Sequence, residues 1–383
     1  MSDVVVLITS LALIIIFSPF LAKVLRLPTT PIEIILGALF GYFGWIYHNE
    51  LFETVAEIGF IYLMFIAGTE VNIKKVIKTP LSIMKKIALY LGLLYLISFS
   101  FTIYFELGKI FAVLLPLISV GLVASLMKEY GKTSWLELSM TAGSIGEVVS
   151  ISVLTLASAG LEYGLSLHFF QTIVALVLFT LFIFLLFRAL QLLFWWFPEV
   201  STVLMPHEDN KEQDIRLSLA ILFLLIGVML ALNLELAFGA FIAGIFIPTF
   251  FEHKQELPEK LAGYGFGFLI PLFFINIGSA FHFEAFAIQG LLALALEITL
   301  IMITMRVVSS LVFKNEVGLR NSVLMGLSHA MPLTLLIAIA TLAFHANSID
   351  ELHYYAFILA ALFEVLIVMI LIKFIHTENE NVL

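Results

Sequence analysis

Apolar residues in this chain run in long blocks separated by short clusters of charged residues, glycine and proline. A helix that crosses about 30 Å of hydrocarbon needs about 20 such residues, and the pattern predicts thirteen of them. The expected spans are Val4–Lys23, Ile32–Tyr47, Thr54–Thr69, Ile83–Phe105, Ile110–Met127, Glu137–Ala159 and Leu165–Leu190, followed by Ile215–Leu232, Leu236–Phe250, Leu261–Ala280, Phe286–Phe313, Gly318–Phe344 and Tyr354–Phe374. The second and ninth are short, but their glycines suit close helix packing, and both count as spans. The first has no basic leader or small-residue cleavage site, so it reads as a retained helix. The fold class expected is therefore an all-α polytopic membrane protein.

The loops provide a second, independent pattern. With the N-terminus outside, all nineteen Lys and Arg except Lys109 and the intramembrane Arg306 fall on the cytoplasmic side, as basic residues should. Acids such as Glu50, Glu53, Glu162, Glu284, Asp350 and Glu351 fill the opposite loops. An odd number of spans then leaves the C-terminus cytoplasmic, in what is expected to be the plasma membrane. One long polar connection, Phe197–Asp214, separates the spans into six plus one and six. On either side the sequence echoes itself. Leu36-Gly37-Ala38-Leu39-Phe40-Gly41 resembles Phe238-Gly239-Ala240-Phe241-Ile242-Ala243-Gly244, and Met64-Phe65-Ile66-Ala67-Gly68 resembles Phe274-Ile275-Asn276-Ile277-Gly278. The second set lies seven spans later and enters the membrane from the other side, the mark of an inverted repeat. The organisation expected is a six-helix repeat over 1–160, a linker helix and hinge over 161–214, a second, inverted repeat over 215–375, and a tail over 376–383.

Composition agrees with the spans: 62% of the 383 residues are hydrophobic and 12% charged, with a mean hydropathy of +1.11. Too little polar surface is available for a soluble domain. The absence of cysteine removes disulfides, thiolate metal sites and cysteine nucleophiles. The net charge of -9 comes with no basic stripe, which argues against nucleic acid as a partner. No serine-histidine-acid set, H-E-x-x-H motif or phosphate loop is present, so neither an enzyme nor a cofactor is expected. The partners implied are the lipid bilayer and a small ion.

A charged side chain at mid-bilayer costs roughly 2.5–3.5 kcal/mol on insertion scales, so each one needs a partner or a task. Four stand out: Glu147 in span six, Glu297 and Arg306 in span eleven, and Glu364 in span thirteen. Glu147 and Glu364 occupy sixth-span positions of the two repeats. The paired fifth and twelfth spans each carry a proline with a glycine nearby, Pro116 with Gly121 and Pro332 with Gly326, which predicts two broken helices. Their half-helix ends would converge on an ion site at Glu147. A buried glutamate binds a proton or a monovalent cation and requires one of the two, which is the chemistry of exchange. Ser144, Ser119 and Ser125 are candidate oxygen ligands, with Gly143 and Gly146 leaving room for a partly hydrated cation. Arginine carries no proton at physiological pH. Arg306 is therefore expected to pair with Glu364, Glu297 or Glu147, and the nine residues between Glu297 and Arg306 put those two on opposite faces. His329 in span twelve is a candidate pH sensor or a ligand for freed backbone groups.

The order and spacing of several stretches resemble the second branch of the monovalent cation:proton antiporter family, which includes bacterial sodium/proton exchangers and glutathione-gated potassium efflux transporters. These stretches are Leu25-Arg26-Leu27-Pro28 before Leu36-Gly37-Ala38, Glu57-Ile58-Gly59 through Phe65-Ile66-Ala67-Gly68-Thr69-Glu70-Val71, Phe238 to Gly244, and Pro271 to Gly278. The resemblance implies Na+ or K+ exchanged for H+, a homodimer, and a mobile core moving against a dimerisation domain. It places the ion-binding acid in span six, where the family's usual polar pair reads Gly146-Glu147, and puts Arg306 where many members have lysine. One titratable carrier then implies electroneutral, one-for-one exchange. The span-five serine/threonine stretch reads Ile118-Ser119-Val120, and no C-terminal nucleotide-binding domain is expected. The competing expectations are a non-transporting membrane subunit of the same fold and an ion-coupled carrier of another solute.

Overall fold

The computed structural model describes residues 3–25, 28–47, 49–71, 73–105, 108, 110–120, 123, 126–127, 130–131, 133–164, 166–197, 199–200, 212–251, 254, 256–281, 285, 287–330 and 332–377. Among them there are helices and no strand. The helices follow the apolar blocks: α1 (Asp3–Leu25), α2 (Thr29–Tyr42), α3 (Glu50–Glu70), α4 (Leu81–Tyr104), α5 (Phe111–Leu114), α6 (Ser134–Tyr163) and α7 (Leu167–Trp196). Then come α8 (Gln213–Leu232), α9 (Leu236–Phe250), α10 (Leu257–Ser279, with a π-helical turn at Gly265–Leu269), α11 (Leu291–Ser310), α12 (Leu319–His329), α13 (Leu333–His345) and α14 (Glu351–Thr377). Among the described residues, nine helices are long and apolar enough to cross a membrane, and α2 and α9 are shorter apolar helices.

Spans five and twelve are the interrupted ones. Helix α5 stops just before Pro116, and span twelve divides into α12 and α13 around Pro332. Gly121 and Ser125, most of the Phe197–Asp214 connection, and residues 378–383 lie outside the described residues. Span two is shorter than its apolar block because Gly44, at φ +68°, allows the chain to turn back. The Gly44 N–H donates to Gly41 O at 2.9 Å and the Trp45 N–H to Phe40 O at 3.0 Å. The Phe40 and Trp45 rings, 5.0 Å apart edge to face, close this C-terminal cap.

The chain packs as two units, one formed by Met1–Val71 with Phe170–Ala287 and the other by Asn72–Phe169 with Ile288–Leu383. Spans one to three and eight to ten belong to the first, and four to six and eleven to thirteen to the second. Each expected repeat is thus shared between the two units, three spans to each.

Inside the first unit, α3 packs on α9 and α2 on α10 so closely that glycine is required at the crossings. A Cβ at Gly68 would lie 2.1 Å from Phe241 O, and one at Gly244 2.0 Å from Phe65 O. The other crossing repeats this geometry, with 2.1 Å from Gly278 to Ile34 O and 2.4 Å from Gly37 to Ile275 O. Adding 207 to 34 and 37 gives 241 and 244, and adding 210 to 65 and 68 gives 275 and 278, so the crossings correspond residue by residue. The packing therefore pairs Gly37 with Gly244, whereas the sequence echo aligned it with Gly239. Gly239 instead faces the Met229 side chain, at 2.3 Å from its added Cβ. Lipid competes with side chains for apolar contact, so helices in a bilayer gain adhesion from such close backbone approach.

Gly68→Ala and Gly244→Ala are expected to cost about 1–3 kcal/mol each, because the obstructing atoms are backbone. Gly227→Ala, where nothing lies within 4 Å, is expected to be neutral or to stabilise by up to about 1 kcal/mol. Thermal unfolding in one detergent checks all three; equal melting temperatures would refute the crossing argument.

Candidate functional site

The face of α6 within the second unit carries Ser139, Gly143 and Glu147 at successive i, i+4 positions, with Ser150 a further turn on. Glu147 is fully buried. Its carboxylate meets the broken part of span five. The Ser119 hydroxyl donates to Oε1 at 3.3 Å and the Val120 N–H to Oε2 at 3.3 Å. One residue earlier, the Ile118 N–H donates to Ser150 Oγ at 3.0 Å.

Pro116 has no N–H to return to Ala112 O. Ser98 of α4 takes that carbonyl at 3.1 Å, and Arg306 of α11 takes Leu117 O through Nη2 at 2.5 Å. Arg306 also donates from Nη1 to Met302 O at 2.9 Å, in the preceding turn of its own helix. Of its three expected acidic partners the structure supplies Glu364, with Nη1 to Oε1 at 3.5 Å and both side chains buried. Neither Glu364 oxygen accepts a hydrogen bond among the described residues. Glu297 lies on the exposed side of α11, opposite Arg306, as their spacing requires.

The room expected at Gly143 and Gly146 is already filled. A Cβ on Gly143 would lie 2.7 Å from Val120 Cγ1 and 3.1 Å from His329 Nε2, and one on Gly146 would lie 2.7 Å from Ile118 Cδ1. These glycines admit neighbouring side chains and so bring the span-five break onto α6. Ser144 donates to Met140 O at 2.8 Å, within its own helix. Of the candidate serines, the structure brings Ser119 to Glu147. Ser125 and Gly121 lie outside the described residues.

Gly326 lets α12 approach α11, since its Cβ would be 2.6 Å from Ser310 Oγ and 2.9 Å from Arg306 O. Helix α12 ends at His329, and Pro332 O accepts the Leu336 N–H at 2.8 Å to start α13. The His329 ring is fully buried. Its Nδ1 lies 2.9 Å from the Tyr90 hydroxyl, and its Nε2 lies 2.9 Å from Ser139 O and 3.0 Å from Ser139 Oγ. Sequence reading missed Tyr90, Ser139, Ser150 and the Val120 N–H. The fourfold spacing of 139, 143 and 147 was the available signal for Ser139; the others required the fold. Among the described residues there is no group of three or more His, Cys, Asp or Glu side chains placed to hold a metal ion.

The chain is similar to several known proteins. The family model described as "Sodium/hydrogen exchanger, transmembrane" matches residues 9–377. A Bacillus subtilis protein named as a putative Na+/H+ antiporter is 23% identical over 93% of this chain, and the chain spans 60% of that relative's length. A Na+/H+ antiporter of Enterococcus hirae is 26% identical, with 70% of this chain and 71% of the relative covered. A probable Na+/H+ antiporter of Methanocaldococcus jannaschii is 28% identical over 80% and 81%. In three dimensions the fold matches the solved sodium proton antiporter MjNhaP1 from the same archaeon, with a TM-score of 0.67 and 15% identity over 96% of both chains. With the family model extending over nearly the whole sequence, the chain belongs to the sodium/hydrogen exchanger family.

Proposed function

We propose that this protein exchanges a monovalent cation for a proton across the membrane, with Glu147 carrying one or the other in turn. The observation that carries this reading is the placement of Glu147: fully buried on α6, with its two carboxylate oxygens meeting a hydroxyl and an N–H from an interrupted helix. The Ser119 hydroxyl is reversible. It donates to the carboxylate when the site holds no cation and turns a lone pair toward a cation when one arrives. The Val120 N–H can only donate, so it keeps its hold on one carboxylate oxygen. The names of the relatives favour Na+, and K+ is the competing substrate.

Arg306 keeps its charge and has Glu364 as its counter-ion at 3.5 Å, which in this reading leaves Glu147 as the carrier. Glu147 then binds one proton or one cation per turn, and exchange is electroneutral. The protein works as a homodimer in the plasma membrane, N-terminus outside and C-terminus inside. The unit that holds Glu147 carries the ion while the glycine-packed unit serves as scaffold. Whatever either unit does, alternating access needs no covalent chemistry from this chain.

Reconstituted in liposomes with an internal pH dye and clamped voltage, the wild type is expected to move protons in response to Na+, K+ or Li+ pulses, without sensitivity to voltage. Glu147→Gln is expected to fall to the protein-free background. Ser119→Ala should raise the half-saturating cation concentration about fivefold, the worth of one neutral hydrogen bond. Because proton and cation compete for one carboxylate, that concentration should rise by up to about tenfold per unit fall in pH on the acid side. Silence from folded wild type with every cation would overturn the antiport reading.

Arg306→Met removes the charge that faces Glu364 and leaves Leu117 O without its donor. A loss of about 3–5 kcal/mol in stability is expected, with most of the Glu364 share recovered in Arg306→Met/Glu364→Met. Thermal unfolding of the wild type, the single and the double variant measures this. A double variant no more stable than the single one would mean that the ion pair is not what Arg306 contributes.

A further inference from the structure

We propose that His329 is a positioning residue of the Glu147 site, held as the neutral Nε2–H tautomer by a one-way chain of hydrogen bonds, so that proton exchange is left to Glu147. The proposal rests on the antiport reading and adds to it a residue that the exchange itself does not require.

The direction of every hydrogen in the chain follows from its far end. The Ser328 hydroxyl donates to Met325 O at 2.8 Å, and a carbonyl can only accept. Its hydrogen being committed, Ser328 Oγ is the acceptor in its 2.5 Å contact with Ser139 Oγ, and the Ser139 hydroxyl is the donor. Ser139 Oγ and Ser139 O therefore both face His329 Nε2 as acceptors, at 3.0 and 2.9 Å, and Nε2 must carry the hydrogen. Nδ1 is left as the acceptor of the Tyr90 hydroxyl at 2.9 Å. A second proton on the ring would put a donor at Nδ1 against that hydroxyl. Tyr90, itself fully buried, would then have to turn its hydrogen elsewhere.

The groups that face the ring come from several helices: Tyr90 from α4, Ser139 and Gly143 from α6, and the guanidinium of Arg306 from α11 as the nearby fixed charge. The chain also does mechanical work, since His329 is the last residue of α12 and its contacts join that end to α4 and α6. Gly143 is the meeting point. It lies one turn from Glu147, and the absence of a side chain there admits both His329 from span twelve and Val120 from span five. Loosening His329 changes the filling of the gap at Gly143 that Val120 Cγ1 also occupies, and the Val120 N–H holds Glu147 Oε2.

The test uses the full chain in lipid, labelled with 15N-histidine, with the His329 signals assigned by difference from His329→Gln. The neutral Nε2–H tautomer is expected to persist from about pH 5 to about pH 8, the range in which a free imidazole titrates. Tyr90→Phe, which removes the donor to Nδ1, is expected to let the ring protonate within that range. In liposomes, His329→Gln keeps an amide N–H for Ser139 and should leave the acid limb of the transport profile in place. His329→Ala should raise the half-saturating cation concentration about fivefold, with partial rescue in His329→Gln. Protonation of wild-type His329 in that range, the opposite tautomer, or an acid limb that moves in His329→Gln would overturn this proposal while leaving antiport intact. A wild type that moves no cation would overturn the antiport reading itself and the positioning role with it, whichever tautomer the ring shows.

Discussion

A helix interrupted inside hydrocarbon leaves backbone donors and acceptors without partners, and each group left so costs several kcal/mol. The break after α5 is built around meeting that cost. Ala112 O receives Ser98, Leu117 O receives Arg306, the Ile118 N–H finds Ser150, and the Val120 N–H finds Glu147. The acid proposed to carry the ion is therefore also one of the groups that make its own surroundings possible. Occupancy of the carboxylate and conformation of the break are parts of one hydrogen-bond arrangement.

That arrangement draws on three helices at once, because Ser98 lies on α4, Ser150 and Glu147 on α6, and Arg306 on α11. Arg306 suits its place through geometry as much as charge. A planar fork reaches Met302 O, Leu117 O and Glu364 together, which the single ammonium of a lysine cannot do in the same directions. Its charge is opposed by Glu364, whose Oε1 lies 3.5 Å from Nη1. The small residues of α6 serve the same end by contact: Gly146 accepts Ile118, and Gly143 accepts Val120 and His329.

The unit that contains α2, α3, α9 and α10 solves a different problem. It holds helices together where lipid offers the same apolar contact as another helix, and it does so with two backbone crossings at which a Cβ would stand 2.0 to 2.4 Å from a carbonyl oxygen. Such crossings have little tolerance for sliding. They suit a scaffold, whereas the broken helices of the other unit offer groups that can exchange partners.

How much of this was legible beforehand depended on the range of the interaction. The spans, the breaks at Pro116 and Pro332, and the buried charges Glu147, Arg306 and Glu364 were readable because hydrophobic length, a missing N–H and the cost of burying charge are properties of local sequence. The opposite facing of Glu297 and Arg306 followed from helical geometry over nine residues. The tertiary structure decided the rest. It chose Glu364 among three acids for Arg306, brought Ser119 but not Ser144 to Glu147, filled the space at Gly143 and Gly146, and matched Gly37 to Gly244 in place of Gly239. Each of these is a choice between residues of like chemistry, and only the approach of two helices distant in the chain distinguishes them.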